Sequence, residues 1–238
     1  MFTYRHDALA TQPTASVIKK VVTLANAEAI PATCPETLGA AKKVGIQAGH
    51  WRIDQLPDEL SKLQWDYGAS AAGVNEVDVN LNIAQKVAAL LKSENIAVDI
   101  LPATIPEDYC ANAFIAIHAD GNDDSSVYGY KVAPSQWDSI DSKAQSLSDS
   151  IEAAYGEVTG MYRNPTITDN MTQYYAFNYS KFIHSIDPKT PGALIELGFI
   201  TNSIDRSMFK KHDDMLAEGV AKGIRNYLEG ETTALAKE

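Results

Sequence analysis

Cysteine is scarce in this chain of 238 residues, which has only Cys34 and Cys110. The two do not form a CxxC pair, so the paired-cysteine zinc sites of ribbons and fingers are excluded. A single disulfide is compatible with the sequence. We nevertheless favour two unpaired, largely buried thiols, because free cysteine behaves as a small hydrophobic residue.

Positive charge is also in short supply. Lys and Arg number 20 against 31 Asp and Glu, which gives a formal net charge of -11. Binding to nucleic acid needs clustered cations that neutralise phosphates, and binding to an anionic membrane surface needs a basic patch. We therefore expect neither nucleic acid nor an electrostatic membrane contact as a partner.

Long apolar runs are absent as well. No run approaches the roughly 20 residues that a membrane-spanning helix needs. The best apolar stretch near the N-terminus, residues 15–25, is interrupted by Lys19 and Lys20. We expect no membrane span and no signal peptide in this chain.

The organisation of the chain changes near residue 42. Residues 1–41 are punctuated by prolines and are expected to be an N-terminal extension, residues 42–230 one domain, and residues 231–238 a C-terminal tail. Strand-like apolar runs alternate with helical periodicity in the central part, which predicts an α/β fold. We expect three layers, with a mostly parallel or mixed sheet flanked by helices. Predicted strands cover residues 44–47, 97–101, 114–117, 128–132 and 193–197, and predicted helices cover 58–64, 76–94, 139–155 and 205–228.

Three of the predicted strands carry a chemically useful side chain at or near their C-terminal ends. His50 follows the first strand, His118 follows residues 114–117, and Glu196 lies inside the apolar run 193–200. A carboxylate in such a run costs free energy unless it has a partner or a function. In open α/β sheets the carboxyl edge is where sites form, so we expect these groups to converge there.

Two imidazoles and a carboxylate are a standard ligand set for catalytic zinc, which keeps a fourth position open for water. His50, Glu76 and His118 provide such a set, and Glu196 is a second carboxylate suited to moving protons. No local HExxH helix fixes the geometry. The spacing of these residues alone therefore leaves structural interpretations open.

Each candidate has such an alternative. Strand-end histidines often lie in turns, and Glu76 at a helix start is a favourable partner of the helix dipole. Glu196 could pair with a cation such as Arg163 or Arg206. The aromatic cluster Tyr174, Tyr175 and Tyr179 could line a glycan groove or simply pack.

Four motifs stand in order along the chain. They are Ala48-Gly49-His50, Asn75-Glu76 with the following Asn80, Ala116-Ile117-His118, and Glu196-Leu197-Gly198-Phe199 with Asn202. Together they resemble the zinc-dependent N-acetylmuramoyl-L-alanine amidases of the amidase-3 family. The resemblance covers about residues 42–228, and the last of the four motifs is the most specific.

This resemblance implies a phosphorylase/hydrolase-like fold and one Zn²⁺ per chain, held by His50, Glu76 and His118. It implies that Glu196 is the catalytic carboxylate. The implied reaction is hydrolysis of the amide between N-acetylmuramic acid and L-alanine in peptidoglycan, so the expected partner is a muramoyl peptide. The expected location is extracytoplasmic, in the cell wall, in the periplasm or secreted. Substrate-binding residues and any protein activator are not implied.

The chain departs from the family at the first motif. Where the family reads Asp-Pro-Gly-His-Gly, this chain has Gln47-Ala48-Gly49-His50-Trp51. The missing Asp could change the groups that orient the histidine. Trp51 could reshape the cleft or offer a stacking surface. Residues 156–179 match no motif and are expected to be a long surface excursion.

Two other functions stay open. One is a zinc peptidase or carboxypeptidase on a related fold. Such enzymes commonly have a His-x-x-Glu pair, and Ile53 stands at that offset from His50, which counts against them. The other is a non-catalytic peptidoglycan-binding module, which the altered first motif would allow.

Overall fold

The computed structural model describes Cys34 and residues 42–137 and 142–235. Apart from Cys34, the predicted N-terminal extension, residues 1–41, lies outside the described residues. The elements in chain order are β1 (Lys43–Ala48), β2 (Ser70–Ala71), β3 (Val74–Asn75), α1 (Glu76–Ser93), β4 (Ala97–Leu101), β5 (Ala113–Asp120), β6 (Lys131–Pro134), α2 (Lys143–Thr159), α3 (Asp169–Thr172), β7 (Gly192–Phe199), α4 (Ser203–Lys211) and α5 (Asp213–Leu235). Short 3-10 helices cover Ile53–Gln55, Asp58–Leu63 and Tyr175–Phe177.

The main sheet has five strands in the order β4-β1-β5-β7-β6. The pairs β4/β1, β1/β5 and β5/β7 are parallel, and the edge strand β6 runs antiparallel to β7. This mixed sheet, flanked by helices, confirms the predicted fold class. The strands β1 and β5 are almost entirely buried, as expected for parallel strands covered on both faces.

Alternate residues of each strand enter two different apolar clusters. Ile46, Ile115 and Ile195 pack in the larger cluster with α1, α2 and α5. Phe114 and Leu194 point the other way, into a smaller cluster covered by residues 101–111 and 171–186. Because side chains alternate along a strand, His118 and Glu196 lie on this second face, opposite the three long helices.

The prediction of two unpaired thiols is wrong. Cys34 and Cys110 form a disulfide between Cα atoms 5.3 Å apart, across 76 positions of sequence. Disulfide pairing depends on spatial proximity, which spacing along the chain does not reveal.

Several predicted boundaries shift. The helix α5 continues to Leu235, five residues into the predicted tail. The strand β6 and the helix α2 each begin a few residues later than predicted. The predicted surface excursion 156–179 is also corrected, since it begins with the end of α2 and then buries Met171, Ala176 and Phe177 against the second face of the sheet.

None of the helices in residues 42–137 and 142–235 has the length and apolar character needed to cross a membrane.

Candidate active site

The turn after β1 brings His50 beside His118. The Gly49 amide donates to the carbonyl of Ile117, which continues the β1/β5 pairing by one residue (3.0 Å). A Cβ at Gly49 would lie 2.3 Å from His118 Cε1, so only glycine leaves room for that ring. His50 adopts a left-handed backbone conformation with φ 62°, which turns the chain across the carboxyl edge of the sheet.

The imidazole of His50 has a defined orientation. Its Nδ1 lies 2.5 Å from the backbone carbonyl oxygen of Asp66. A carbonyl only accepts, so Nδ1 carries the proton in the neutral ring and Nε2 keeps its lone pair. That Nε2 lies 3.3 Å from Glu76 Oε1.

Glu76 opens α1 and is almost fully buried. Its Oε2 accepts from the Ala69 amide (2.8 Å), and its Oε1 accepts from the Ala119 amide (3.2 Å) and lies 3.0 Å from His118 Nδ1. Burial raises the pKa of the Glu76 carboxyl, but the bonds to His118 and His50 outweigh burial and hold that pKa far below its usual range. Glu76 is therefore an anion placed between two imidazoles. The facing nitrogens carry protons in these bonds and would present lone pairs to a metal ion that replaced those protons.

His118 is held from both sides of its ring. Its Nδ1 faces Glu76, and its Nε2 lies 3.0 Å from the hydroxyl of Tyr174. When Nε2 donates to that hydroxyl oxygen, the lone pair of Nδ1 points towards Glu76.

The three side chains form a cluster that could hold a metal ion. One ligand atom from each of His50, Glu76 and His118 lies within 4.8 Å of the other two. Ligands of a tetrahedral zinc ion, at 2.0–2.2 Å from the metal, lie about 3.4 Å from one another. The observed separations of 3.3 and 3.0 Å from Glu76 to the two imidazoles fit this spacing.

Glu196 stands on β7 directly opposite His118 of β5 in the strand register. It is half-buried, and its Oε2 has no hydrogen-bond partner among the described residues. Burial raises the pKa of the Glu196 carboxyl, the charges of Glu76 and Asp120 raise it further, and Lys131 partly opposes them.

The alternative that Glu196 pairs with an arginine is wrong for both candidates. Arg163 pairs with Glu152 (2.7 Å), and Arg206 donates to the carbonyl of Ile200 (2.7 Å). Glu196 therefore has no arginine partner, and it lines the cleft together with His50 and His118.

The site opens into a cleft of about 500 Å³. Strands β5, β6 and β7 form its floor, residues 50–66 one wall, and residues 168–175 the other. Its lining includes residues that the sequence analysis did not assign to the site, namely Asp66, Asp120, Lys131, Thr168, Asn170, Met171 and Gln173. The sequence offered one signal for Lys131, because a lysine in a buried strand is as unusual as a glutamate in one.

The three tyrosines of the predicted aromatic cluster do not all lie at the cleft. Tyr174 and Tyr175 line the cleft, whereas Tyr179 is not among its lining residues. Tyr175 donates to the carbonyl of Ala103 (2.6 Å) and accepts from Gln47 (3.1 Å). Tyr174 and Tyr175 therefore both pack against the smaller cluster and border the cleft, and contact with a glycan stays a prediction.

Two of the three departures from the first motif, Gln47 and Trp51, make structural contacts. The Gln47 amide donates to the carbonyls of Pro102 and Ala103 as well as to Tyr175, which ties the loop after β4 to the cleft wall. Trp51 packs against the larger core, with the Arg52 guanidinium 4.6 Å from its ring centroid.

Comparison with known proteins identifies a family to which this chain is similar. The family profile Amidase_3, N-acetylmuramoyl-L-alanine amidase, matches residues 44–226. The amidase LytC of Bacillus subtilis is 28% identical over 178 residues, which cover 68% of this chain and 33% of LytC. The chain thus spans about a third of that curated relative.

Solved structures share the fold. The N-acetylmuramoyl-L-alanine amidase AmiC2 of Nostoc punctiforme superposes with a TM-score of 0.58 at 21% identity, covering 79% of this chain and 97% of AmiC2. The CwlD amidase of Clostridioides difficile, solved in complex with the GerS lipoprotein, superposes with a TM-score of 0.57 at 20% identity, covering 79% and 98%. With the family profile spanning most of the described sheet and the whole cluster, the chain belongs to the Amidase_3 family of N-acetylmuramoyl-L-alanine amidases.

Proposed function

We propose that this chain is a zinc-dependent amidase that hydrolyses the amide between N-acetylmuramic acid and L-alanine in peptidoglycan. The observation that carries the proposal is the convergence of His50, Glu76 and His118 within 4.8 Å, with the unpartnered carboxylate of Glu196 in the same cleft. Membership of the family supports the substrate class.

In this proposal His50, Glu76 and His118 hold one zinc ion per chain. When bound, zinc would polarise the scissile carbonyl and lower the pKa of an attacking water. The bond from His50 to the Asp66 carbonyl and the contact of His118 with Tyr174 keep both rings aimed at the site, as partners of metal-binding histidines commonly do.

Glu196 is the proton carrier in this mechanism. Its carboxylate accepts a proton from the attacking water and returns that proton to the nitrogen of L-alanine as the amide bond breaks. A raised pKa suits both halves of this task, because the group must hold the proton between the two transfers.

The proposed location is extracytoplasmic. The disulfide between Cys34 and Cys110 supports it, because such bonds persist in oxidising compartments and are rare in the cytosol.

The decisive experiment digests purified muropeptides and identifies the products by mass spectrometry. An amidase releases peptides with a free L-alanine amine, whereas a peptidase would cut within the peptide. The variant Glu196→Gln should lower turnover at least about a hundredfold, because it removes the proton carrier and keeps the side-chain shape. The control Glu152→Gln changes a carboxylate that pairs with Arg163 instead and should keep full turnover.

Two results would overturn the proposal. If Glu196→Gln cleaves as fast as the unmodified protein, the proton-transfer role is wrong. If the unmodified protein releases no L-alanine amine while still binding peptidoglycan, the non-catalytic binding module becomes the correct interpretation.

A further inference from the structure

A nearly buried lysine lies in the wall of the cleft. Lys131 is 3% exposed and opens the edge strand β6. Burying an ammonium group is costly unless it is paired, so a lysine in this position requires an explanation. It has no part in the mechanism above.

The register of the sheet places Lys131 in one row with the site. Lys131 of β6 is paired with Glu196 of β7, which is paired in turn with His118 of β5. Paired residues on neighbouring strands share a face, and strands lie about 4.8 Å apart. Lys131 therefore stands about 10 Å from His118 on the same face, on the far side of Glu196.

The ammonium group of Lys131 has donors to spare. It forms an ion pair with Asp120 Oδ2 and lies 5.1 Å from the ring centroid of Phe199. Among residues 42–137 and 142–235, Asp120 is its hydrogen-bond partner. Since a lysine ammonium has three donors, two are available on a group that lines the cleft.

The charges that line the cleft indicate a role for Lys131 in binding an anion. Three carboxylates line it, those of Asp66, Asp120 and Glu196, whereas Lys131 is the one lysine or arginine in the described lining. Apart from the proposed zinc ion, Lys131 is therefore the one cation in the described lining that can attract a substrate carboxylate. The ammonium is thus the place where a negatively charged part of a substrate can be received.

We propose that Lys131 binds a carboxylate on the peptide side of the scissile amide, namely the free α-carboxylate of the residue that follows L-alanine. This rests on the proposed function, and it assigns a substrate preference to that site. The protein should then prefer muramoyl peptides in which this carboxylate is free over those in which it is amidated.

The test uses two synthetic muramoyl peptides that differ only in this group, one with the free acid and one with the carboxamide. The unmodified protein should cleave the acid with a kcat/KM about tenfold to a hundredfold higher, the range expected for a charge-assisted hydrogen bond. Lys131→Met should remove the preference, so that the ratio of kcat/KM for the acid to kcat/KM for the amide falls to about one. Lys131→Arg should keep the preference.

Lys43→Met is the matched control. Lys43 also pairs with an aspartate, Asp99 (2.9 Å), and also lies over an aromatic ring, that of Tyr109 (4.7 Å). It opens β1 at the amino edge of the sheet, away from the site, so its replacement should leave the acid preference unchanged.

The outcomes separate this inference from the proposed function. Equal cleavage of acid and amide by the unmodified protein overturns the carboxylate role while the amidase activity stands. An equal loss on both peptides in Lys131→Met also overturns it, because Lys131 would then act through Glu196 or Asp120. Failure of the unmodified protein to cleave either peptide overturns the proposed function itself. The acid–amide comparison needs no variant, so the inference stays testable even if Lys131→Met does not fold.

Discussion

Gly49 is the residue on which the geometry of the two histidines depends most closely. The turn after β1 passes so near to His118 that an added methyl group would meet the imidazole ring at 2.3–2.6 Å. His118 cannot retreat freely, because its nitrogens contact Glu76 and Tyr174. Position 49 therefore requires glycine because the backbone passes close to His118. It does not require glycine for a special backbone conformation.

Gly49→Ala should displace His118 and weaken zinc binding at least about tenfold, with a loss of about 1–3 kcal/mol in the free energy of unfolding from overpacking. Zinc titration and urea unfolding would measure the two effects. Gly230→Ala is the control, since a Cβ there meets no atom within 4 Å and Gly230 lies in a helix. Zinc affinity unchanged by Gly49→Ala would refute this view of the turn.

At the scale of elements, the 3-10 helix Asp58–Leu63 is tied to a distant loop by one carboxylate. Glu59 accepts from the amides of Ile183 (3.1 Å) and His184 (3.0 Å), and its Oε1 lies 2.7 Å from His184 Nδ1. Burial raises the pKa of the Glu59 carboxyl, but the bonds from His184 and Ile183 outweigh burial and lower it from its ordinary value of 4.5. The same helix contributes Leu63 to the cleft wall.

This shift fixes the sign of a pH dependence. A carboxyl whose pKa is lowered by folding stabilises the fold above 4.5 and loses that contribution as the pH falls through its folded-state pKa. Glu59→Gln should therefore cost about 1 kcal/mol at pH 7, a value reduced by partial solvent exposure, and the difference from the unmodified protein should shrink below pH 4.5.

Urea unfolding of both proteins across this pH range would measure the difference. Glu157→Gln, which changes an exposed carboxylate paired with Lys222, should stay close to the unmodified protein throughout. A difference between Glu59→Gln and the unmodified protein that stays constant as the pH falls is incompatible with the Glu59 linkage.

Helices and strands whose apolar residues repeat at a regular spacing could be predicted from the sequence. Segments whose position depends on tertiary contacts could not. The helix α1 was predicted to within a residue, because Ile83, Val87 and Leu91 repeat on one face. The far wall of the cleft, residues 168–175, has no such period. Its position depends on burial of Met171 and Phe177 against the sheet and on contacts such as that of Tyr174 with His118.

The same distinction holds inside the site. His50, Glu76, His118 and Glu196 could be singled out because each stands in a motif. The structure brings His50, His118 and Glu196 to one cleft and places Glu76 beside the two histidines. Lys131 joins them only through the pairing of β6 with β7, which no local pattern specifies.

At the scale of the whole described domain, the mixed sheet is what turns scattered residues into a site. Parallel strands β1, β5 and β7 end at one edge, and each delivers one polar group there, while α1 presents Glu76 from its first turn. The disulfide from Cys34 to Cys110 was not predictable in this way, because its two ends meet only in the folded chain.

The central claim is that two imidazoles and one carboxylate from separate elements bind a single zinc ion, and zinc binding by the metal-free protein tests it most directly. Calorimetric titration, with the metal content of the dialysed protein, should give one zinc per chain for the unmodified protein and for His212→Ala, whose histidine ends α4 away from the cluster. His118→Ala should lose at least about tenfold in affinity. Absence of zinc binding by the unmodified protein, or equal affinity in His118→Ala, would contradict the account.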